Sequence, residues 1–207
     1  MPTIDPENHA FLGDEFVPVL GICLDTVGYG AKSFGAQHDV QVRLPAMTRH
    51  ILDDIDLRFD ELPYGMSGDG LYVFMPPATD PTRALPSLLS AGAARLAQDN
   101  ARYRDRIRAR MAIGFGLIKR GPNGLVGGLM IDLSRLVDCP PLRQAVQDHP
   151  ESDLLAVVSC GLYDMMARSG CLPAGFPLSR VDVVMQAKKY DASAWLWVGP
   201  PSRVHAA

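Results

Sequence analysis

The sequence predicts an α+β fold: a mixed, mainly antiparallel sheet with helices packed on one face. Three observations carry this expectation. Short apolar runs such as Val17–Leu24 and Leu154–Ser159 have the length and β-branched content of strands. Tyr64 to Phe74 encloses Gly68-Asp69-Gly70 between two apolar stretches, a hairpin signal because such turns need residues that accept positive φ. Between the strands lie longer segments whose apolar residues recur at spacings of three and four, the period of a half-buried helix.

Each element follows in order. Met1 to Glu15 is polar, with Pro, Asp and Glu, and is expected as a flexible N-terminal tail, residues 1–15. The first strand covers Val17 to Leu24. Val40, Val42, Leu44, Met47, Ile51, Leu52, Ile55 and Leu57 predict a helix after Gln41, with Pro45 in its first turn or kinking it. The acidic run Asp53, Asp54, Asp56 splays around that helix and reads as a solvated face. After the hairpin, Pro76-Pro77 stops the second strand. A long helix is expected from Arg83 to Arg108, its last turns rich in arginine where the helix dipole is negative.

Arg108 to Ile118 then reads as a strand, Gly121 to Gly124 as a turn, and Leu129 to Leu136 as a helix broken by Pro140-Pro141. A short helix from Leu142 to Gln147, the strand Leu154–Ser159, a helix from Gly161 to Arg168, and strands Ser179–Ala187 and Ser193–Val198 complete the chain. One domain spanning residues 16–199 is expected, with residues 200–207 as a C-terminal tail.

Composition narrows the function classes. Hydrophobic residues make up 47% and charged residues 21%, the balance of a soluble globular protein. A net charge of −3 gives no general attraction to nucleic acid or to an anionic membrane. No apolar stretch approaches the roughly 18 residues of a spanning helix, and Met1 to Gly13 lacks the basic and apolar regions of a signal peptide. Cys23, Cys139, Cys160 and Cys171 show neither a CxxC pair nor a neighbouring His, so zinc is not expected and a cytoplasmic location is.

Chemistry concentrates at two acids. Asp25 ends the first strand and precedes the glycine-containing turn Thr26-Val27-Gly28-Tyr29-Gly30, while Asp69 stands at the hairpin tip. Singly, each is an ordinary turn residue. Together they form a plausible corner for metal ions that also bind a nucleotide's phosphates.

The order of motifs resembles the catalytic domain of the class III nucleotidyl cyclases, over about residues 16–198. Leu24-Asp25-Thr26-Val27-Gly28-Tyr29 is similar to the family's Asp-Ile-Val-Gly-Phe strand end, and Gly68-Asp69-Gly70 to its Gly-Asp hairpin. Arg110 to Gly116 fits the family's Arg-Val-Gly-Ile-His-Ser-Gly strand. Gly127 to Leu136 matches Gly-x-x-Val-Asn-x-Ala-x-Arg-Leu in part. Asp138 to Leu142 and Asp191 to Trp195 resemble stretches of small stand-alone actinobacterial cyclase-like proteins.

The resemblance implies a ferredoxin-like, palm-type fold and conversion of a nucleoside triphosphate to a 3′,5′-cyclic nucleotide and pyrophosphate. Asp25 and Asp69 would hold two Mg²⁺ or Mn²⁺ ions. Backbone N–H groups of Val27, Gly28, Tyr29 and Gly30 would cradle phosphates, and Arg110 and Lys188 would contact them too. Arg135 would stabilise charge developing at the α-phosphate. The site would be shared across a head-to-tail homodimer.

Three positions depart from the family. Ile131 replaces the asparagine four residues before Arg135, leaving Asp132 as the candidate to orient the ribose. Gly65 and Gly124 stand where purine-reading side chains are expected. Small cyclases of bacterial antiphage systems, which make cyclic UMP or cyclic CMP, also lack that purine pair. Tyr29, Tyr64 and Met66 are candidates to pack a base. Ile131 is also the feature that favours the alternative, a catalytically degenerate cyclase-fold protein acting as a nucleotide-binding or scaffold module.

Overall fold

The computed structural model describes residues 3–4, 11–122, 124–172 and 177–202. In chain order the elements are β1 (Thr3–Ile4), β2 (Val17–Thr26), α1 (Phe34–Asp53), β3 (Tyr64–Ser67), β4 (Gly70–Phe74), α2 (Pro81–Arg102), β5 (Ala109–Gly121), β6 (Gly124–Val126), α3 (Gly128–Leu136), α4 (Pro140–Asp148), β7 (Leu154–Ser159), α5 (Cys160–Arg168), β8 (Leu178–Met185) and β9 (Tyr190–Val198). Short 3₁₀ turns lie at Tyr29–Ala31, Phe59–Glu61 and Gln186–Lys188. The strands form one sheet in the order β1-β3-β4-β2-β5-β7-β9-β8, with β6 folded back on β5. Pairing is antiparallel except between β5 and β7.

The expected α+β class holds, but helices cover both faces of the sheet. Along β2, Leu20, Ile22 and Leu24 pack with α1, α2 and α5, while Val19 and Cys23 pack with α3 and α4. A strand at the centre of such a sheet is buried on both sides, which is why it reads as a continuous apolar run. The sequence does not reveal the second layer because α3 and α4 are short, with a one-turn apolar repeat.

Glycines in the sheet make room for α3. A Cβ at Gly21, Gly114 or Gly116 would stand 3.0–3.2 Å from Leu129 side-chain atoms. Gly21 and Gly114 are register partners, so the slot crosses β2 and β5. Gly127, at φ 153°, starts α3 where a Cβ would lie 2.1 Å from the Leu117 carbonyl oxygen, so no larger residue fits.

Helix limits differ from those expected, for identifiable reasons. α1 begins earlier because Ser33 caps it, accepting from the Ala36 N–H, and Pro45 lies inside it. α2 ends at Arg102. Arg106 and Arg108 serve other purposes: Arg108 donates to the Val146 and His149 carbonyls at the end of α4, and Arg106 pairs with Asp153. Pro140 and Pro141 form the first turn of α4, where a missing N–H costs nothing, so they start that helix. The Gly121–Gly124 turn includes position 123, outside the described residues.

The stretches expected as tails touch the domain. Thr3 and Ile4 pair with Met66 and Gly65, Leu12 is buried, and the Gly13 carbonyl accepts from the Arg120 N–H. At the other end, Pro201 bridges to Ser152 and the Ser202 N–H bonds to the Glu151 carbonyl. Among the described residues no helix is long and apolar enough to cross a membrane.

Candidate active site

Strand alternation decides which side chains can meet. Odd positions of β2 face α3 and α4, and Asp25 is the last of them. Asp25 is the register partner of Gly70 in β4 and of Arg110 in β5. Gly68 takes positive φ and Asp69 does not, the pattern of a two-residue type II′ turn. The Asp69 carbonyl accepts from the Thr26 N–H at 3.0 Å, which ties the hairpin tip to the end of β2. Gly70 leaves space beside Asp25, since a Cβ there would meet Asp25 Oδ1 at 3.9 Å and the Leu24 carbonyl at 3.2 Å.

Arg110 links two carboxylates. Its Nε donates to Asp25 Oδ2 at 3.1 Å and its Nη2 to the same oxygen, while Nη1 reaches Asp138 Oδ1 at 3.4 Å. Asp138, between α3 and α4, also accepts from Arg143 Nε at 2.9 Å and lies 3.6 Å from Lys188 Nζ. Burial pushes the Asp25 carboxyl above the ordinary carboxylate range. Arg110 opposes that shift, and the Asp69 and Asp138 charges reinforce it. Burial also acts upward on Asp138, but Arg143, Arg110 and Lys188 outweigh it and hold that carboxyl low.

The turn after Asp25 supplies part of the expected cradle. The Val27 N–H is committed to the Arg108 carbonyl at 2.9 Å. Gly28, at φ 70°, turns the chain into the 3₁₀ segment, whose leading N–H groups at Gly28, Tyr29 and Gly30 have no backbone acceptor among the described residues. No heavy atom lies within 4 Å of a Cβ built on Gly28 or Gly30, so a ligand can approach there.

Arg135 and Asp132 form a second cluster on α3. The Arg135 guanidinium carbon lies 4.9 Å from the Tyr190 ring centroid, and the Asp132 carboxylate lies near enough to act on the Tyr190 hydroxyl. Burial, then Asp132, push Tyr190 up to about 12. Among the described residues neither Arg135 nor Asp132 shares a hydrogen bond or ion pair with Asp25, Asp69 or Arg110. Ile131 is 50% exposed, so it does not serve the core of its own chain.

The suggested base-packing residues do not face the carboxylates. Tyr64 and Met66 pack on the α1 and α2 side, Tyr64 with its ring centroid 4.6 Å from that of Phe59. Tyr29 joins the same core, its hydroxyl accepting from Gln41 at 2.7 Å. Gly65 is on the carboxylate face, beside its register partner Tyr72. Burial raises both the Tyr72 hydroxyl and the Cys23 thiol.

Sequence reasoning left Tyr72, Tyr190, Asp138 and Arg143 without a role. Alternation along β4 is the signal that would have placed Tyr72 on the site's face. Asp138 stood within a noted stretch, but nothing in its spacing reveals three cations around it.

The carboxylate pair suits a hard divalent cation that arrives with phosphate. Mg²⁺ is commonly held by one or two carboxylates and its substrate's phosphates. Among the described residues no group of three or more His, Cys, Asp or Glu is arranged to hold a metal ion without such help. The Asp25 and Arg110 side chains are 20% and 12% exposed, so the carboxylate stands at a partly buried strand end that solvent still reaches.

No family model matches the sequence, and no curated protein matches it. Solved structures do. The guanylyl cyclase Cya2 superposes with a TM-score of 0.62 at 15% identity, covering 95% of this chain and 100% of that one. An adenylate/guanylate cyclase/hydrolase from Silicibacter pomeroyi gives 0.57 at 16%, covering 90% and 98%. The guanylate cyclase domain of RhGC from Catenaria anguillulae, solved in complex with GTP, gives 0.55 at 12%, covering 90% and 99%. The chain thus has the fold of the class III adenylyl and guanylyl cyclase catalytic domains.

Proposed function

We propose that this protein is a cytoplasmic nucleotidyl cyclase that converts a nucleoside triphosphate to a 3′,5′-cyclic nucleotide and pyrophosphate. The observation that carries the reading is the convergence of Asp25, Asp69 and Arg110 at one end of three adjacent strands, beside the open Gly28–Gly30 turn. Bound at Asp25 and Asp69, two Mg²⁺ or Mn²⁺ ions would lower the pKa of the ribose 3′-hydroxyl and neutralise triphosphate charge. The free N–H groups of Gly28, Tyr29 and Gly30 orient the β- and γ-phosphates, and Arg110 and Lys188 neutralise them. Arg135 meets the charge that develops on the α-phosphate, and Asp132 orients the ribose in place of the missing asparagine.

Among the described residues no hydrogen bond or ion pair joins the Arg135 cluster to the carboxylates, which supports a site completed by a second copy. In a head-to-tail homodimer Arg135 and Asp132 of one chain act on the nucleotide held by Asp25 and Asp69 of the other. Gly65 has no side chain to read a purine. This favours a pyrimidine triphosphate, with cyclic UMP or cyclic CMP as product and antiviral signalling as its use.

A second reading rests on Ile131: without a ribose-orienting amide, the chain binds nucleotide as a regulatory module and does not turn it over. Incubation with ATP, GTP, CTP and UTP separately, with Mn²⁺ or Mg²⁺, and mass spectrometry of the products distinguishes the two. Cyclic nucleotide and pyrophosphate in equal amounts, absent with Asp69→Ala, support the enzyme. No product from any triphosphate supports the module.

A further inference from the structure

We infer that Asp138 is a positioning residue for metal–nucleotide entry, the second acceptor that takes Arg110 when Arg110 leaves Asp25. The inference rests on the reading of Asp25 as a metal ligand. Arg110 donates to Asp25 Oδ2 through both Nε and Nη2, while Oδ1 faces the space beside Gly70. A cation bound at this carboxylate stands within a few ångströms of the guanidinium and repels it. Binding therefore favours movement of Arg110, and a largely buried guanidinium cannot leave a carboxylate for an apolar wall without a large penalty.

Asp138 supplies the destination. Arg110 Nη1 already stands 3.4 Å from its Oδ1, so a turn of the side chain about that contact frees Asp25 and keeps one charged partner. The Asp138 carboxyl stays ionised throughout the physiological range, because Arg143, Arg110 and Lys188 all favour its charge. The same carboxylate holds Lys188 Nζ at 3.6 Å, which leaves both phosphate-directed cations gathered on one anion beside the carboxylate pair. Arg143, on α4, holds the Asp138 side chain by donating Nε and Nη2 to the same Oδ1. Cations from three separate segments, β5, α4 and the β8–β9 turn, meet at this carboxylate.

The test uses Mn²⁺ with inorganic triphosphate, which is independent of the base, and follows loss of the free Mn²⁺ signal by electron paramagnetic resonance. Asp138→Asn is expected to weaken Mn²⁺ binding about 10- to 100-fold, the range for a residue that orients a metal ligand. Asp138→Glu should recover most of the loss. Arg143→Gln, which keeps the acceptor, should stay near wild type. In an Arg110→Gln background Asp138→Asn should have no further effect, since no guanidinium is left to move. Circular dichroism checks each fold, and Asp138→Ser serves the same comparison if Asp138→Asn does not fold. Wild-type affinity in Asp138→Asn, or an equal loss in the Arg110→Gln background, overturns the inference while leaving the site reading intact. If wild type and Asp25→Asn both fail to bind Mn²⁺ with triphosphate, the reading of the site fails and the inference with it.

Discussion

Asp25 and Arg110 are register partners on β2 and β5, and the arginine donates twice to the Oδ2 of a carboxylate that the proposed chemistry uses as a metal ligand. Burial has raised the Asp25 carboxyl despite that partner, so its ionisation is a cost the fold accepts. The sign for activity follows. Metal binding needs the ionised form, so kcat/KM should rise with pH through an acid limb that lies above the ordinary aspartate value of about 3.9. A pH–rate profile at saturating Mn²⁺ and limiting nucleotide checks it, and an acid limb at or below the ordinary value contradicts it.

Tyr190 offers a second titration, independent of catalysis. Its folded pKa is about 12, raised by burial and by the Asp132 carboxylate, against about 10 for an unperturbed tyrosine. A raised acid contributes stability that is complete below pH 10 and is lost as pH climbs towards about 12. Urea unfolding across that window should show a decline that Tyr190→Phe lacks. Asp132→Asn should move the tyrosinate absorbance transition of Tyr190 downward.

α3 and its Arg135 are held by a slot that only glycine leaves open. Gly114→Ala would place a methyl 3.0 Å from Leu129 and 3.3 Å from the Ser159 hydroxyl. Overpacking of this kind costs about 1–3 kcal/mol. Thermal unfolding should register the loss, and turnover should fall with it because the helix bearing Asp132 and Arg135 is displaced.

Much of this was legible in the chain. The hairpin at Gly68-Asp69-Gly70, the strand ending in Asp25 and the glycines of Arg110–Gly116 each carry local signals, a turn preference or an alternation, that survive folding unchanged. What could not be read depends on contacts between distant segments. Nothing near Arg108 says that it caps α4, 38 residues on. The apolar sequence neighbours of Asp138 reveal nothing of its role, and its three cations come from β5, α4 and the β8–β9 turn. Tyr64 and Met66 looked like base contacts because they flank the hairpin, but strand alternation turns them to the opposite face.

Ile131 is half exposed, so its replacement should be nearly neutral for folding, within about 0.5 kcal/mol. Ile131→Asn should raise kcat if the missing amide limits an otherwise complete site. Arg135→Ala should lower kcat by about a hundredfold or more, as for loss of a transition-state donor, with little change in KM. Steady-state kinetics separates the two parameters, and a fall in KM-related binding alone would assign Arg135 to substrate affinity.

The central claim is that one active site is built from two clusters on two chains, the carboxylates of one and the α3 residues of the other. Mixing Asp69→Ala protein with Arg135→Ala protein tests it most directly, because a heterodimer then holds one site with both clusters intact. Each variant alone should be inactive, and the mixture should recover part of the wild-type rate as subunits exchange. A mixture that stays as inactive as its components, with exchange verified by native mass spectrometry, would contradict the shared site.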